Sequence, residues 1–452
     1  MMHTHLTPPQ RLRHRGLTRL AQSLAAVITL MAAALVPLVP AHAAAQGVSG
    51  FFAAAQSTDA ANRDQLEQMQ AAGADTVITF GYTLATIDAA AAKTGRFADC
   101  TIDGKSCYDA VRSGITVRKV LAYAGNTAFT SEQRLCARDV FTSAGSTTYA
   151  VMGVPVNGSC TTATSFDIVM TAHSGVDKAA SVTSQAGALG MKHYIGMPAP
   201  DMQADTAWLP DTSYLATLKD FTGRFAMATG SPSGLGGFYQ HREMPLSDYP
   251  DWDGMYSLYS MQNAAIAAKS TTKVVMISPY IDARKASNQT VAKAKAAAAK
   301  LAGTRSGLSR LILAPQDGMG TGKGSAYGGD KWGWRVDPYQ RTIVGDVTNA
   351  EAYFASSEAY FQAVKDGIGG DANVALWGNL EGMAPIIASG SNANPCSTGH
   401  SDTRGFTLDS RMIEQLREVA GITAKNVSYH WDYYLCTRNG GPALKDTIAG
   451  LG

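Results

Sequence analysis

The stretch LGGFYQHRE, Leu235 to Glu243, is a short apolar run that ends abruptly in charge. A run of this length, rich in aromatic residues and opened by glycines, reads as a buried strand rather than a helix. With a period of two, Tyr239, His241 and Glu243 share one face. Seven further runs of this kind lie along the chain: Val48–Ala54, Asp75–Gly81, Met191–Ala199, Lys273–Ile281, Arg310–Asp317, Asn373–Glu381 and Asn426–Leu435. Helical patterns separate them. In 213–229, Leu215, Leu218, Phe221 and Phe225 recur at helical spacing, and in 409–424 Met412, Ile413, Leu416, Val419 and Ile422 form one apolar face. Segments 255–269, 289–302 and 349–368 fill other intervals.

Eight strands separated by helices specify an α/β fold, a (β/α)8 TIM barrel. Alternation alone also suits a doubly wound open sheet, and the count of eight favours the barrel. Residues 84–190 are too long for one crossover, so a disulfide-stapled insertion, an irregular excursion, is expected after strand two. The chain then divides into a leader, residues 1–43, and a single barrel domain, residues 44–452.

The leader reads as an export signal. Arg11, Arg13, Arg15 and Arg19 precede an apolar stretch from Leu24 to Val39, and Ala41-His42-Ala43 supplies a small-x-small cleavage pattern. The apolar stretch is shorter than the ~20 residues of a membrane span. No spanning segment follows it, so a secreted protein, extracellular or periplasmic, is expected. Removing those four arginines turns the formal net charge from +2 to −2. Such a chain lacks the basic surface that nucleic acid requires. Hydrophobic residues make up 45% of the whole, which excludes a disordered chain. The sequence does not fix an oligomeric state.

Six cysteines, Cys100, Cys107, Cys136, Cys160, Cys396 and Cys436, suit disulfides in an exported chain. Chain proximity suggests Cys100–Cys107, Cys136–Cys160 and Cys396–Cys436. No C-x-x-C pair and no H-E-x-x-H motif is present, so neither a metal nor another cofactor is expected.

In a barrel of this kind, chemistry belongs at the C-terminal ends of the strands. Strand four ends in Glu243 and strand seven in Glu381, with Trp377, Asn379 and Glu381 on one face. Two carboxylates at one mouth, among aromatics, are what glycoside hydrolysis needs: one protonates the leaving oxygen while the other attacks the anomeric carbon or activates water. Glu243 and Glu381 are the candidate pair. The alternative is that both are solvated strand-end residues, or pair with Arg242. Candidate substrate contacts are Tyr239, His241, Tyr280, Gln316, Asp317, Trp377, Asn379, His430, Trp431 and Asp432. Trp332 and Trp334, in a long loop after strand six, are candidates for stacking on a sugar; packing that holds the loop is an equal alternative. The run Gly318-Met319-Gly320-Thr321-Gly322-Lys323-Gly324 superficially resembles a phosphate loop, but its spacing is one residue short and no Ser or Thr follows Lys323.

The glutamates ending strands four and seven resemble those of the retaining clan A glycosidase barrels, with Arg242 in the place that clan usually fills with Asn; the resemblance implies Glu243 as acid/base and Glu381 as nucleophile, the latter kept ionised by neighbours such as Asn379 or Tyr429. The segments GFYQHRE, ISPYI, APQDGMG and LWGNLEGM are similar, in order, to strand motifs of the bacterial family DUF4434, over roughly residues 48–435. That resemblance implies a secreted TIM-barrel glycosidase with Glu243, Asp317 and Glu381 around a cleft for a polysaccharide or oligosaccharide. Two other readings stay open: a glycan-binding barrel without turnover, and a structural wall-associated protein.

Overall fold

The computed structural model describes residues 47–385, 404–437 and 442–448, apart from 205, 207, 208 and 231. All eight expected strands are present: Val48–Phe52, Thr76–Ile78, Lys192–Gly196, Leu235–Gln240, Val274–Ile277, Arg310–Leu313, a seventh in two pieces, and Asn426–Tyr429. Each pairs in parallel with the next. The seventh strand closes the ring. Its first piece, Val374–Leu376, pairs with strand six, and its second, Gly378–Glu381, pairs with strand eight, which pairs with strand one. The protein is therefore a (β/α)8 barrel rather than an open sheet.

Strand alternation fills the barrel with one face of each strand. Phe52, Ile78, Tyr194, Tyr239, Met276, Ile312, Ala375 and Val427 form the inner core. The opposite faces join the helices in a larger outer core. Those helices include Asp59–Ala71, Leu215–Ala228, Asp253–Lys269, Val291–Gly303, Ser357–Ile368 and Asp409–Val419. Thr58 and Thr290 cap two of them, each side chain accepting from a backbone N–H in the first turn.

Two expectations need correction. Strand eight does not run on to Leu435: His430 accepts from the Asp432 N–H and starts a helical turn, Trp431–Tyr434. The segment 84–190 is also no irregular excursion. Thr83–Ile87, Thr116–Tyr123, Val140–Ala144, Thr147–Pro155 and Ser165–His173 build a second sheet, to which Ala199–Pro200 adds an edge after barrel strand three. The tail of that segment, helix Lys178–Ala188, packs on Asp59–Ala71 and belongs to the barrel. The second sheet has its own apolar core around Phe97, Cys100, Cys107, Tyr108 and Ile168.

The disulfides Cys100–Cys107 and Cys136–Cys160 are formed. Cys396 and the leader lie outside the described residues, so the third pairing and the export signal do too. The second sheet is riveted to the barrel helix Leu215–Ala228. Arg224 of that helix meets Asp139 at 2.5 Å, with 1% and 0% of their side chains exposed. Thr217 also donates to Asp167 at 2.6 Å, and Arg118 reaches Asp167 from the sheet.

Candidate active site

Strand four delivers its side chains alternately to two places. Tyr239 points into the barrel against Phe52, 5.2 Å between ring centroids. Gln240 points out and donates to Asn263 Oδ1 at 3.0 Å on a flanking helix. His241 turns inward, and its Nδ1 lies 3.1 Å from the Met197 carbonyl, so that nitrogen carries the proton in the neutral ring. Burial, then the nearby Arg242 charge, lowers the His241 pKa to about 4. The Arg242 guanidinium donates to Pro200 O and Thr83 Oγ1, away from the inner face. Glu243 follows, exposed at the rim. Its charge adds to burial in pushing the Tyr239 and Tyr259 phenols well above their ordinary range. Tyr280 is pushed to about 12 by burial, then Asp282, then Glu243. Glu243 therefore shares its surroundings with three tyrosines from strand four, the following helix and the end of strand five.

Glu381, at the end of strand seven, is in a different setting and only 2% exposed. Its Oε2 accepts from the Thr321 N–H at 3.0 Å and from Thr321 Oγ1 at 3.3 Å. Its own N–H donates to Asp317 Oδ1 at 3.2 Å. Gln415 Nε2 bridges the two residues, donating to Asp317 Oδ2 at 2.6 Å and to Glu381 O at 3.1 Å. Burial, then the Glu381 charge, pushes the Asp317 carboxyl up to about 7, against the pull of the donors from Gln415, Met319 and Glu381.

The glycine run 318–324 is what covers Glu381. A Cβ on Gly320 would come 2.3 Å from Met383 Cγ and 2.8 Å from Glu381 Cβ, and one on Gly324 would come 1.8 Å from the Asp317 carbonyl. The run is glycine-rich because its backbone lies directly on the carboxylate site. Arg411, 2% exposed, holds the same loop from outside by donating to Met319 O at 3.0 Å and pairing with Asp337 at 2.8 Å.

The floor of the mouth is aromatic. Phe80 stacks on His430, 6.1 Å between centroids, and meets Tyr429 and Tyr239 edge-on. Tyr280 faces the mouth beneath Lys323, whose ammonium lies 4.4 Å from the ring centre. Gln316 donates to Ser278 O at 3.0 Å, and Asn379 to Ser278 Oγ at 2.9 Å. Asn379 thus braces the barrel wall, and the donor expected from it to Glu381 comes from Thr321 instead. Asp432 lies beside His430, 3.8 Å from Nδ1.

Trp377 and Trp431 stand elsewhere than the sequence suggests. Trp377 fills the opposite end of the barrel, against Tyr194 and under Lys425, which opens strand eight. Trp431 is buried outside the barrel, 4.8 Å from Phe51 and stacked on Tyr434. Trp332 packs against the outer core. Trp334 is 57% exposed and lies near Lys331, which pairs with Glu414 on the helix Asp409–Val419. The long loop drapes over that helix because its anchors, Asp337, Lys331 and Gly328, bind Arg411, Glu414 and Glu418 there.

Thr321, Gln415, Arg411, Lys323 and Phe80 are the members of the site that sequence reading passed over. One signal was available. Arg411, Gln415 and Glu418 recur at i, i+4 and i+7 beside the apolar stripe of their helix, which marks a polar seam facing a partner. Among the described residues, no cluster of three His, Cys, Asp or Glu side chains is arranged to hold a metal ion.

No family model and no curated protein matches this sequence. Among solved structures, the chain is similar to a putative alpha-L-fucosidase from Bacteroides thetaiotaomicron, at 13% identity over 92% of this chain and 95% of that one, with a TM-score of 0.45. It is also similar to a beta-galactosidase from the psychrophilic Marinomonas ef1, at 8% identity over 89% of this chain and 58% of that one, TM-score 0.45. A glycoside hydrolase family 5 structure from Bacteroides vulgatus gives 10% identity, 87% and 61% coverage, and a TM-score of 0.38. Likeness of this degree says nothing about the reaction.

Proposed function

We propose that the chain is a secreted glycoside hydrolase of retaining type, with Glu381 as nucleophile and Glu243 as acid/base. The observation that carries this reading is the fixed carboxylate at the end of strand seven. Two donors from Thr321 converge on Glu381 Oε2, which favours the ionised form a nucleophile must keep. Glu243 stands at the end of strand four, where a rim carboxyl among tyrosines suits proton transfer to a leaving oxygen. In the first step Glu381 bonds to the anomeric carbon as the glycosidic bond breaks, and the leaving oxygen takes the Glu243 proton. In the second step water attacks the same carbon, Glu243 takes its proton, and Glu381 departs. The apolar floor of Phe80, Tyr239 and Tyr429 would meet the C–H faces of a sugar. Membership of DUF4434 and export by a cleaved leader belong to the same proposal. Two disulfides support an oxidising compartment, and no described helix is long and apolar enough to cross a membrane.

A glycan-binding barrel without turnover is the second reading. The burial of Glu381 under the 318–324 loop favours it. Kinetics on an aryl glycoside with a good leaving group separates the two. In the hydrolase, Glu243→Ala slows breakdown of the glycosyl-enzyme more than its formation, and azide restores turnover. Glu381→Ala abolishes formation, and azide gives a product of opposite anomeric configuration. Wild-type rates in both variants would sink the mechanism. No turnover by the wild type on any of a broad set of aryl glycosides would favour the binder.

A further inference from the structure

The second sheet carries a cavity of about 410 Å³ lined by Arg96, Asp99, Thr147 and Tyr149. It opens beyond the end of strand Thr116–Tyr123, where Tyr123 pairs with Leu84. Leu84 lies only a few residues after Phe80, whose ring stacks on His430 in the barrel mouth. A narrower cleft lined by Phe80 and Tyr82 lies between the two places, and Asn126 lines both the cleft and the cavity. Tyr82, 41% exposed, stands edge-on to Tyr123 along this path.

Polar side chains line the cavity. Tyr149, 4% exposed, lines the hollow. Arg96 and Asp99 stand exposed at its rim. Arg96 spends two N–H groups on the carbonyls of Tyr123 and Ala172, at 3.0 and 2.8 Å, which fixes its fork and leaves other donors for a ligand. Cys100–Cys107 staples the loop that bears Arg96 and Asp99. A fixed donor fork, an acceptor carboxylate and a buried phenol around one hollow suit the vicinal hydroxyls of a sugar ring, and the volume falls within the ordinary range for small-ligand pockets.

We propose that this cavity is a second carbohydrate subsite, which holds the continuation of a neutral glycan chain whose scissile unit lies in the barrel mouth. The inference rests on the glycan-directed reading of that mouth, and it gives the inserted sheet a role: selecting extended chains over short ones. One charge-assisted hydrogen bond lost at such a site raises a dissociation constant about tenfold.

The test is binding, which does not depend on turnover. Native gels containing soluble β-glucan, xyloglucan, galactomannan or arabinogalactan should retard the mature protein in at least one case. Asp99→Ala should then raise the dissociation constant about tenfold. Ser174→Trp, which fills the hollow from its rim, should abolish the retardation while the melting temperature stays within a few degrees of wild type. Retardation of both variants equal to that of the wild type overturns the proposal, as does a wild type retarded by none of the four polymers. Retardation that Asp99→Ala weakens supports the subsite even where no aryl glycoside is hydrolysed, an outcome that counts against the reaction alone.

Discussion

The backbone N–H of Glu381 donates to the side chain of Asp317 at 3.2 Å, and Gln415 ties the same two residues together from the helix behind. Two carboxyls are thereby held side by side in a setting closed to water. Such a pair titrates as a unit. Thr321 directs its donors to Glu381, while burial and then the Glu381 charge push Asp317 up.

This arrangement predicts an unusual pH dependence. The folded Asp317 carboxyl is raised from 3.8 to about 7, so between those values the folded protein holds a proton that the unfolded chain has released. Its contribution is complete below pH 3.8 and is lost as pH rises toward 7. Asp317→Asn should flatten that decline, a change on the order of a few kcal/mol. Urea unfolding of both proteins at pH 4.5 and 7.5 measures it, and parallel declines would contradict the pairing.

Histidine contributes with the opposite sign. Burial lowers the pKa of His241 to about 4 and that of His193 to about 3. Each stabilises the fold fully above pH 6.5, and that stability is lost as pH falls through the folded values. Nitrogen NMR of the two imidazoles should find both neutral at pH 5. A charged ring at that pH would mean an environment far wetter than the one described.

The glycine loop should tolerate no side chain over the carboxylates. Gly320→Ala forces a methyl into Met383 and Glu381, and overpacking of this kind costs about 1–3 kcal/mol. Calorimetry should show a lower melting temperature. If the protein is a hydrolase, turnover should fall as well, because Thr321 would be displaced from Glu381.

The ion pair between the second sheet and the barrel offers a test of how the two are joined. Asp139→Asn removes one of the two carboxylates paired with the buried Arg224 guanidinium and leaves Asp220 as the other, and breaking a buried pair costs up to about 3–5 kcal/mol. Denaturant unfolding should show a loss of that size. A loss below 1 kcal/mol would mean that Asp220 alone holds the guanidinium.

The sequence alone determined the barrel. Eight apolar runs with alternating faces, separated in most intervals by helical patterns, satisfy their backbone hydrogen bonds and bury their inner faces together when they close into a ring. It also determined which carboxylates end strands four and seven, because strand period and strand end are local properties. Only the tertiary structure decided what surrounds them. Trp377 and Glu381 share a strand face, yet four residues of rise place one at the bottom of the barrel and the other at the mouth. Trp431, close to His430 in the chain, leaves the barrel because a helical turn starts between them. Asp317, Thr321, Glu381 and Gln415 come from three separate stretches of chain. Their joining depends on how a loop folds back over a strand and onto a helix, and spacing along the sequence does not encode that contact. Burial, which raises Asp317 and lowers His241, is likewise a property of the packed whole.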